Sequence, residues 1–260
     1  MRRMEFGVLG PFEALVDQRP TPIPRGRQRV LLATLVLHTG EVVGVDELLE
    51  RMWGDRLPGS PRGALQICLT RVRRWLDVQG EGAARLLTTE SAGYVLRLPP
   101  QNVDLLRFRD SLRAAEAAAE RGDLVGQWAA LATVLSLWRG PVLADVHSDS
   151  LQQDVIPRIT EEYLRALEWR HEVGFALGRH DRLVGELLAL TRKYPYRERY
   201  WGQLMRALCR CGRQVEALDA YRRVRTRLRE EIGVDPGPEL RRLHVAILRN
   251  DPAGVPNGAR

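Results

Sequence analysis

Along Ser60–Leu76 (SPRGALQICLTRVRRWL), side chains capable of directed polar contacts recur at helical spacing. With Leu65 at zero on a helical wheel, Leu69, Val72 and Leu76 fall in a narrow apolar stripe, with Cys68 and Trp75 beside it. Gly63, Ile67, Thr70 and Arg74 point the other way, flanked by Gln66, Arg71 and Arg73. Amide, hydroxyl and guanidinium groups on one face suit non-covalent recognition. An amide pairs with an adenine edge, and a guanidinium with guanine or a phosphate. Arg62 in the first turn and Arg74 on the outer face are candidates by position alone. Ser60 suits the N-cap and Pro61 the first helical position. The stretch therefore reads as a helix that enters the major groove of DNA. Taken by itself it reads equally as a surface helix with solvated arginines. The elements around it decide between the two.

Residues 5–9 and 13–16 have the composition of short strands, separated by the turn signal Gly10-Pro11. Pro20, Pro22 and Pro24 exclude a central strand there, so a small edge sheet is expected. Arg27–His38 forms a first helix, stopped by Gly40. A second, Asp46–Trp53, is capped by Asp46 and ended by Gly54. Leu57-Pro58-Gly59 turns the chain into the third helix. After it, 85–88 and 94–98 read as paired strands joined by Thr89–Gly93. Strands, three helices and a hairpin make a winged helix-turn-helix, in which two helices hold a third in the groove and the hairpin reaches an adjacent groove or the backbone. Thr88 and Thr89 offer hydroxyls to phosphate, whereas Glu90 repels phosphate if it points inward.

Pro99-Pro100-Gln101-Asn102 marks a linker, because consecutive prolines hold an extended segment. The expected domains are 1–98, a linker at 99–103, a helical domain at 104–250 and a flexible tail at 251–260. Helices are expected at about 104–121, 124–139, 151–177, 181–194, 197–211, 214–231 and 238–249. Gly178 and Gly212 lie 34 residues apart, the period of the tetratricopeptide helix pair, and Ala207, Ala217, Tyr221 and Pro236 fit its small–Gly–Ala–aromatic–Pro pattern. Gly122 marks a weaker third copy, 56 residues before Gly178. The fold class is thus mainly α: an N-terminal winged helix-turn-helix (α+β) followed by an all-α, tetratricopeptide-like repeat domain.

Other chemistries find little support. The chain has no phosphate-binding glycine loop, nucleophile elbow or zinc-protease motif, so no catalytic residue, cofactor or metal is assigned and no enzyme is expected. Cys68, Cys209 and Cys211 form no zinc pattern and read as small apolar helix residues in a reducing compartment. Asp145, Asp149 and Asp154 read as a solvated turn rather than a cation loop. No apolar run suits a membrane span, and MRRMEFGVLGPFEA lacks the features of a signal peptide, so a cytoplasmic, nucleoid-associated protein is expected. The 260 residues carry a formal net charge of +7 and a pI near 9.9, which favour an anionic partner. A single lysine, Lys193, means that the basicity is almost all arginine, which suits phosphate contacts but also follows from a GC-rich genome. Within residues 1–100, 14 arginines against 11 acids leave +3, so each protomer is expected to bind DNA modestly and two together more tightly.

The sequence resembles the Streptomyces antibiotic regulatory protein family over nearly its whole length. The carriers in the first half are Asp46-Glu47-Leu48-Leu49 leading to Met52-Trp53-Gly54, then Leu69-Thr70-Arg71-Val72-Arg73-Arg74 and Ala92-Gly93-Tyr94, similar to an OmpR-type winged helix. In the second half Leu137–Asp145, Leu204–Leu208, Gly212–Leu218 and Gly233–Leu240 resemble a bacterial transcriptional activator domain. The resemblance implies an activator of a secondary-metabolite (antibiotic) gene cluster. It implies binding to direct repeats in double-stranded promoter DNA, with two protomers side by side as a homodimer, and engagement of RNA polymerase holoenzyme including its sigma factor. It places DNA contacts at Trp53, Gln66, Ile67, Thr70, Arg71, Arg73, Thr88 and Tyr94. Glu90 and Ser91 depart from the basic residue or proline usual in the wing, and Tyr196 stands where the family prefers leucine. A peptide-binding adaptor built on the repeats, and a repressor on the same fold, are the alternatives.

Overall fold

The computed structural model describes residues 3–251; the expected tail lies almost wholly outside them. The chain divides into two compact units, residues up to 114 together with 132–164, and 115–131 together with the chain from 165.

The first unit opens with strands β1 (Met4–Gly7), β2 (Glu13–Val16) and β3 (Arg19–Thr21), an antiparallel sheet in that order. Pro20 lies in β3, at the sheet edge where a missing N–H is tolerated. Helices α1 (Arg27–Leu37), α2 (Val45–Trp53) and α3 (Pro61–Gln79) pack on one another. A second sheet has the order β4 (Val43–Gly44), β6 (Gly93–Leu96), β5 (Leu87–Glu90), all antiparallel.

Several local expectations are corrected. The helix expected from Asp46 begins at Val45 with Gly44 at its N-cap, because Gly44 is held extended by pairing with Gly93; Asp46 sits in the first turn instead. Ser60 occupies the N-cap of α3, but its side chain caps nothing. The strand expected at 85–88 starts at Leu87, because Ala83–Leu86 coil into a 3-10 turn whose Ala84 N–H is taken by the Asp77 carboxylate at 2.9 Å. The segment expected as an extended linker forms a 3-10 turn at Pro100–Asn102, and buried Val103 then bridges to Phe6 of β1.

The loop expected as a solvated acidic turn is tied down. Asp145 accepts the Phe12 N–H at 2.7 Å and pairs with Arg29, while Asp154 pairs with Arg51 at 2.9 Å. The Leu137–Asp145 motif runs against the β1–β2 turn: Arg139 N donates to Leu9 O at 2.8 Å and Leu143 N to Val8 O at 3.1 Å. Backbone groups of a turn that would otherwise lack partners are satisfied from a segment more than 100 residues away.

The remaining helices are α4 (Asp104–Glu120), α5 (Leu124–Ser136), α6 (Ile156–Ala176), α7 (His180–Lys193), α8 (Glu198–Arg210), α9 (Gln214–Arg227) and α10 (Pro238–Leu248). One turn of π-helix precedes α6 and another follows α9. In the second unit α7, α8, α9 and α10 pack in succession. The repeat reading is visible in the hydrogen bonds of its turns. Gly178 and Gly212 take φ of 69° and 74°, and the next residue's N–H reaches back at 2.9 Å, Arg179 to Gly174 O and Arg213 to Leu208 O. This is the left-handed helix stop that glycine allows. Gly122 repeats it, with Asp123 N donating to Ala118 O at 2.9 Å, so the weaker third copy shares the geometry. Ala207 and Ala217 are fully buried, which lets the helices approach closely. The architecture is mainly helical, a winged helix followed by helical repeats, as expected.

Candidate nucleic-acid interface

Helix α3 divides along its length as the wheel requires. Leu65, Cys68, Leu69, Val72 and Leu76 are buried. Burying each leucine stabilises the unit by roughly 1.5–3 kcal/mol, which fixes the rotation of the helix about its own axis. Gln66, Ile67, Thr70, Arg71 and Arg74 are exposed together on the opposite face, and Arg62 is exposed in the first turn. Ile67 stands 55% exposed among polar neighbours, placed to meet an apolar patch such as a thymine methyl. The Thr70 hydroxyl donates to Gln66 O at 2.9 Å and keeps its lone pairs free to accept.

Arg73, half-buried, is a strut. Its Nε donates to Leu87 O at 3.2 Å and its Nη2 to the Thr89 hydroxyl at 3.0 Å, tying α3 to β5. Tyr94 is buried on β6, and its hydroxyl accepts an N–H from the Gln66 amide at 2.6 Å. Thr88 takes a hydrogen bond from Arg97. Arg97 also pairs with Glu90 at 3.0 Å, so the acid that departs from the family pattern has a cation beside it. Trp53, at the end of α2, is half-buried with the Arg27 guanidinium 6.0 Å from its ring centroid.

Of the ten residues predicted from sequence, Gln66, Ile67, Thr70, Arg71 and Arg74 share one exposed face of α3, and Arg62 is exposed in its first turn. Arg73, Thr88 and Tyr94 belong to the α3–hairpin junction, and Trp53 lies at the end of α2. Arg27, beside Trp53, and Arg97, bonded to Thr88 and Glu90, touch predicted residues without having been predicted themselves. Arg97 follows β6, two residues beyond Val95, the cross-strand partner of Thr88, and that alternation was the available signal. Arg27 and Arg71 both lie near Cys68: burial pushes the Cys68 thiol up, and the two guanidinium groups pull it down. A positive field therefore flanks α3 on that side.

Among the described residues no group of three or more His, Cys, Asp or Glu could hold a metal ion, and no helix is long and apolar enough to cross a membrane.

Comparison with known proteins assigns both halves. The family described as "Transcriptional regulatory protein, C terminal" matches residues 24–96, and the "Bacterial transcriptional activator domain" matches 103–248. Regulatory protein DnrI of Streptomyces peucetius is 38% identical over 261 residues, covering 98% of this chain and 96% of DnrI. Transcriptional regulatory protein EmbR of Mycobacterium tuberculosis is 35% identical over 259 residues, covering 100% of this chain and 67% of EmbR. A solved structure of M. tuberculosis EmbR in complex with a low affinity phosphopeptide matches with a TM-score of 0.90 at 36% identity, covering 97% of this chain and 66% of that one. The chain thus spans about two thirds of the length of EmbR. These families and relatives are transcriptional regulators, not enzymes. With a winged helix and an activator domain matched in order, and a relative alike over nearly its full length, the chain belongs to the Streptomyces antibiotic regulatory protein family of transcriptional regulators.

Proposed function

We propose that the chain activates transcription of a secondary-metabolite gene cluster by binding direct repeats in promoter DNA through α3 and engaging RNA polymerase, sigma factor included. The observation that carries this reading is the face of α3. Six side chains of recognition chemistry stand exposed along one helix, while its apolar stripe is locked into a three-helix core. Arg71 and Gln66 read bases, and Arg62 and Arg74 meet phosphate at either end. Trp53 and Thr88 flank the groove, and Arg73 braces the hairpin against α3, with Tyr94 beside it. Two protomers on adjacent repeats raise affinity by effective concentration, which the modest charge of the first 100 residues calls for. The activator domain, proposed to span 104–250, supplies the protein–protein surfaces, and the site of action is the nucleoid.

Footprinting on the promoters of neighbouring genes, with and without polymerase, tests this. Two protected segments in tandem, extended when polymerase is added, are expected. Transcription with purified polymerase then separates an activator from a repressor on the same fold: product must rise with added protein. No protection of any promoter would leave the peptide-binding adaptor as the better reading.

A further inference from the structure

The Gln66–Tyr94 contact has a consequence for base selection. Gln66 is exposed, and an exposed glutamine ordinarily samples many rotamers and both orientations of its amide. Fixing such a side chain on binding costs rotamer entropy. Here the amide is already held. Tyr94 sits in β6 between Thr89 of β5 and Val43 of β4, and its ring is buried. Its hydroxyl takes one Gln66 N–H at 2.6 Å. That leaves the second N–H and the Oε1 lone pairs, one donor beside one acceptor, which is the complement of adenine N7 and N6 in the major groove.

We propose that Tyr94 is a specificity-determining positioning residue: its hydroxyl holds the Gln66 amide in the orientation that reads an A·T pair, and does so without touching DNA. This rests on the base-reading role given to α3 above. Arg73 reinforces the arrangement from the same flank, since its bonds to Leu87 and Thr89 hold the hairpin that carries Tyr94 against the helix. The preference at one base pair is therefore set from the wing sheet, through a residue buried beneath the reading face.

The test is selection from a duplex library with randomised positions, using the full chain as wild type, Tyr94→Phe, Gln66→Ala and the double variant, with thermal melts of each. Wild type should select a consensus containing one A·T pair whose preference falls roughly tenfold in Tyr94→Phe and in Gln66→Ala alike. Other positions should hold, and the double variant should lose no more than either single one. Phenylalanine fills the same space, so its melting temperature should stay within about 2 °C of wild type. An unchanged consensus in Tyr94→Phe, a loss spread over every position, or a G·C preference at the Gln66 position overturns the proposal. A Tyr94→Phe chain that melts far below both wild type and Gln66→Ala overturns it too, because the hydroxyl would then hold the hairpin rather than the amide. A wild-type chain that selects no consensus overturns the base-reading function itself, and this inference with it.

Discussion

Arg139 Nη2 lies 3.2 Å from the Asp104 carboxylate, and that carboxylate also accepts the backbone N–H groups of Val8 at 2.8 Å and Leu9 at 3.0 Å. The same arginine reaches Pro11 O at 3.2 Å and Glu13 at 3.0 Å. The first residue of α4 and the end of the Leu137–Arg139 segment thereby clasp the β1–β2 turn, and Asp145 with Arg29 closes the other side. Asp104 is buried, so truncating it strands two amide donors and leaves Arg139 without its buried partner. Asp104→Ala should destabilise the chain by roughly 3–5 kcal/mol. Urea unfolding reads this as a lower midpoint at unchanged slope. Asp104→Asn, which keeps an acceptor, should lose less. A wild-type midpoint in the alanine variant would mean that the clasp is incidental.

The hairpin depends on a close backbone approach. A Cβ on Gly93 would lie 2.0 Å from Val43 O, a separation no side chain tolerates, and the neighbour is backbone that cannot swing aside. Gly93→Ala must break the β4–β6 pairing or bend the wing. The expected cost is on the order of 1–3 kcal/mol, with a lower melting temperature and weaker DNA binding at every sequence. Retention of both properties would show that the wing is more compliant than its register implies.

The second unit should lose stability in mild acid. His244 stacks on Tyr221, with ring centroids 3.8 Å apart and planes 7° from parallel. Burial, then Arg225 and Arg222, hold its imidazole below the ordinary 6.5. His180 is lowered as well, chiefly by burial. Well above pH 6.5 both rings are neutral whether the chain is folded or unfolded. As pH falls below 6.5 the unfolded chain takes up protons first, so stability declines until the folded rings protonate too. His244→Phe keeps the stack without the titration, and its stability should fall less steeply between about pH 6.5 and 5. Parallel curves for the two chains in urea titrations would remove His244 from that slope.

The outward face of α3 was legible because a 3.6-residue period and a buried stripe leave the helix only one way to turn. Ile67, Thr70 and Arg74 face outward for the same reason that Leu69 and Val72 face inward. The repeat turns were legible from Gly178 and Gly212, whose left-handed backbone is a local property. Other features depend on partners far along the chain. Arg73 lies on the polar flank of the wheel, yet the hairpin arrives against that flank and turns it into a strut. Strand β4 is only Val43-Gly44, too short for a period-two signal, and it exists because Gly93 admits it. Asp145 looked like one acid in a polar loop, since Arg29 and Phe12 lie 116 and 133 residues away.

The central claim is that the outward face of α3 reads bases, and Arg71 tests it most directly. The measurement is the equilibrium affinity of wild type and Arg71→Ala for a selected site and for a scrambled duplex, across a series of salt concentrations. Arg71→Ala should weaken the selected site by about 1–3 kcal/mol while the scrambled duplex changes far less. A uniform loss on both duplexes with a salt slope smaller by about one would instead make Arg71 a phosphate contact. Unchanged affinity and selectivity in the variant would contradict the account.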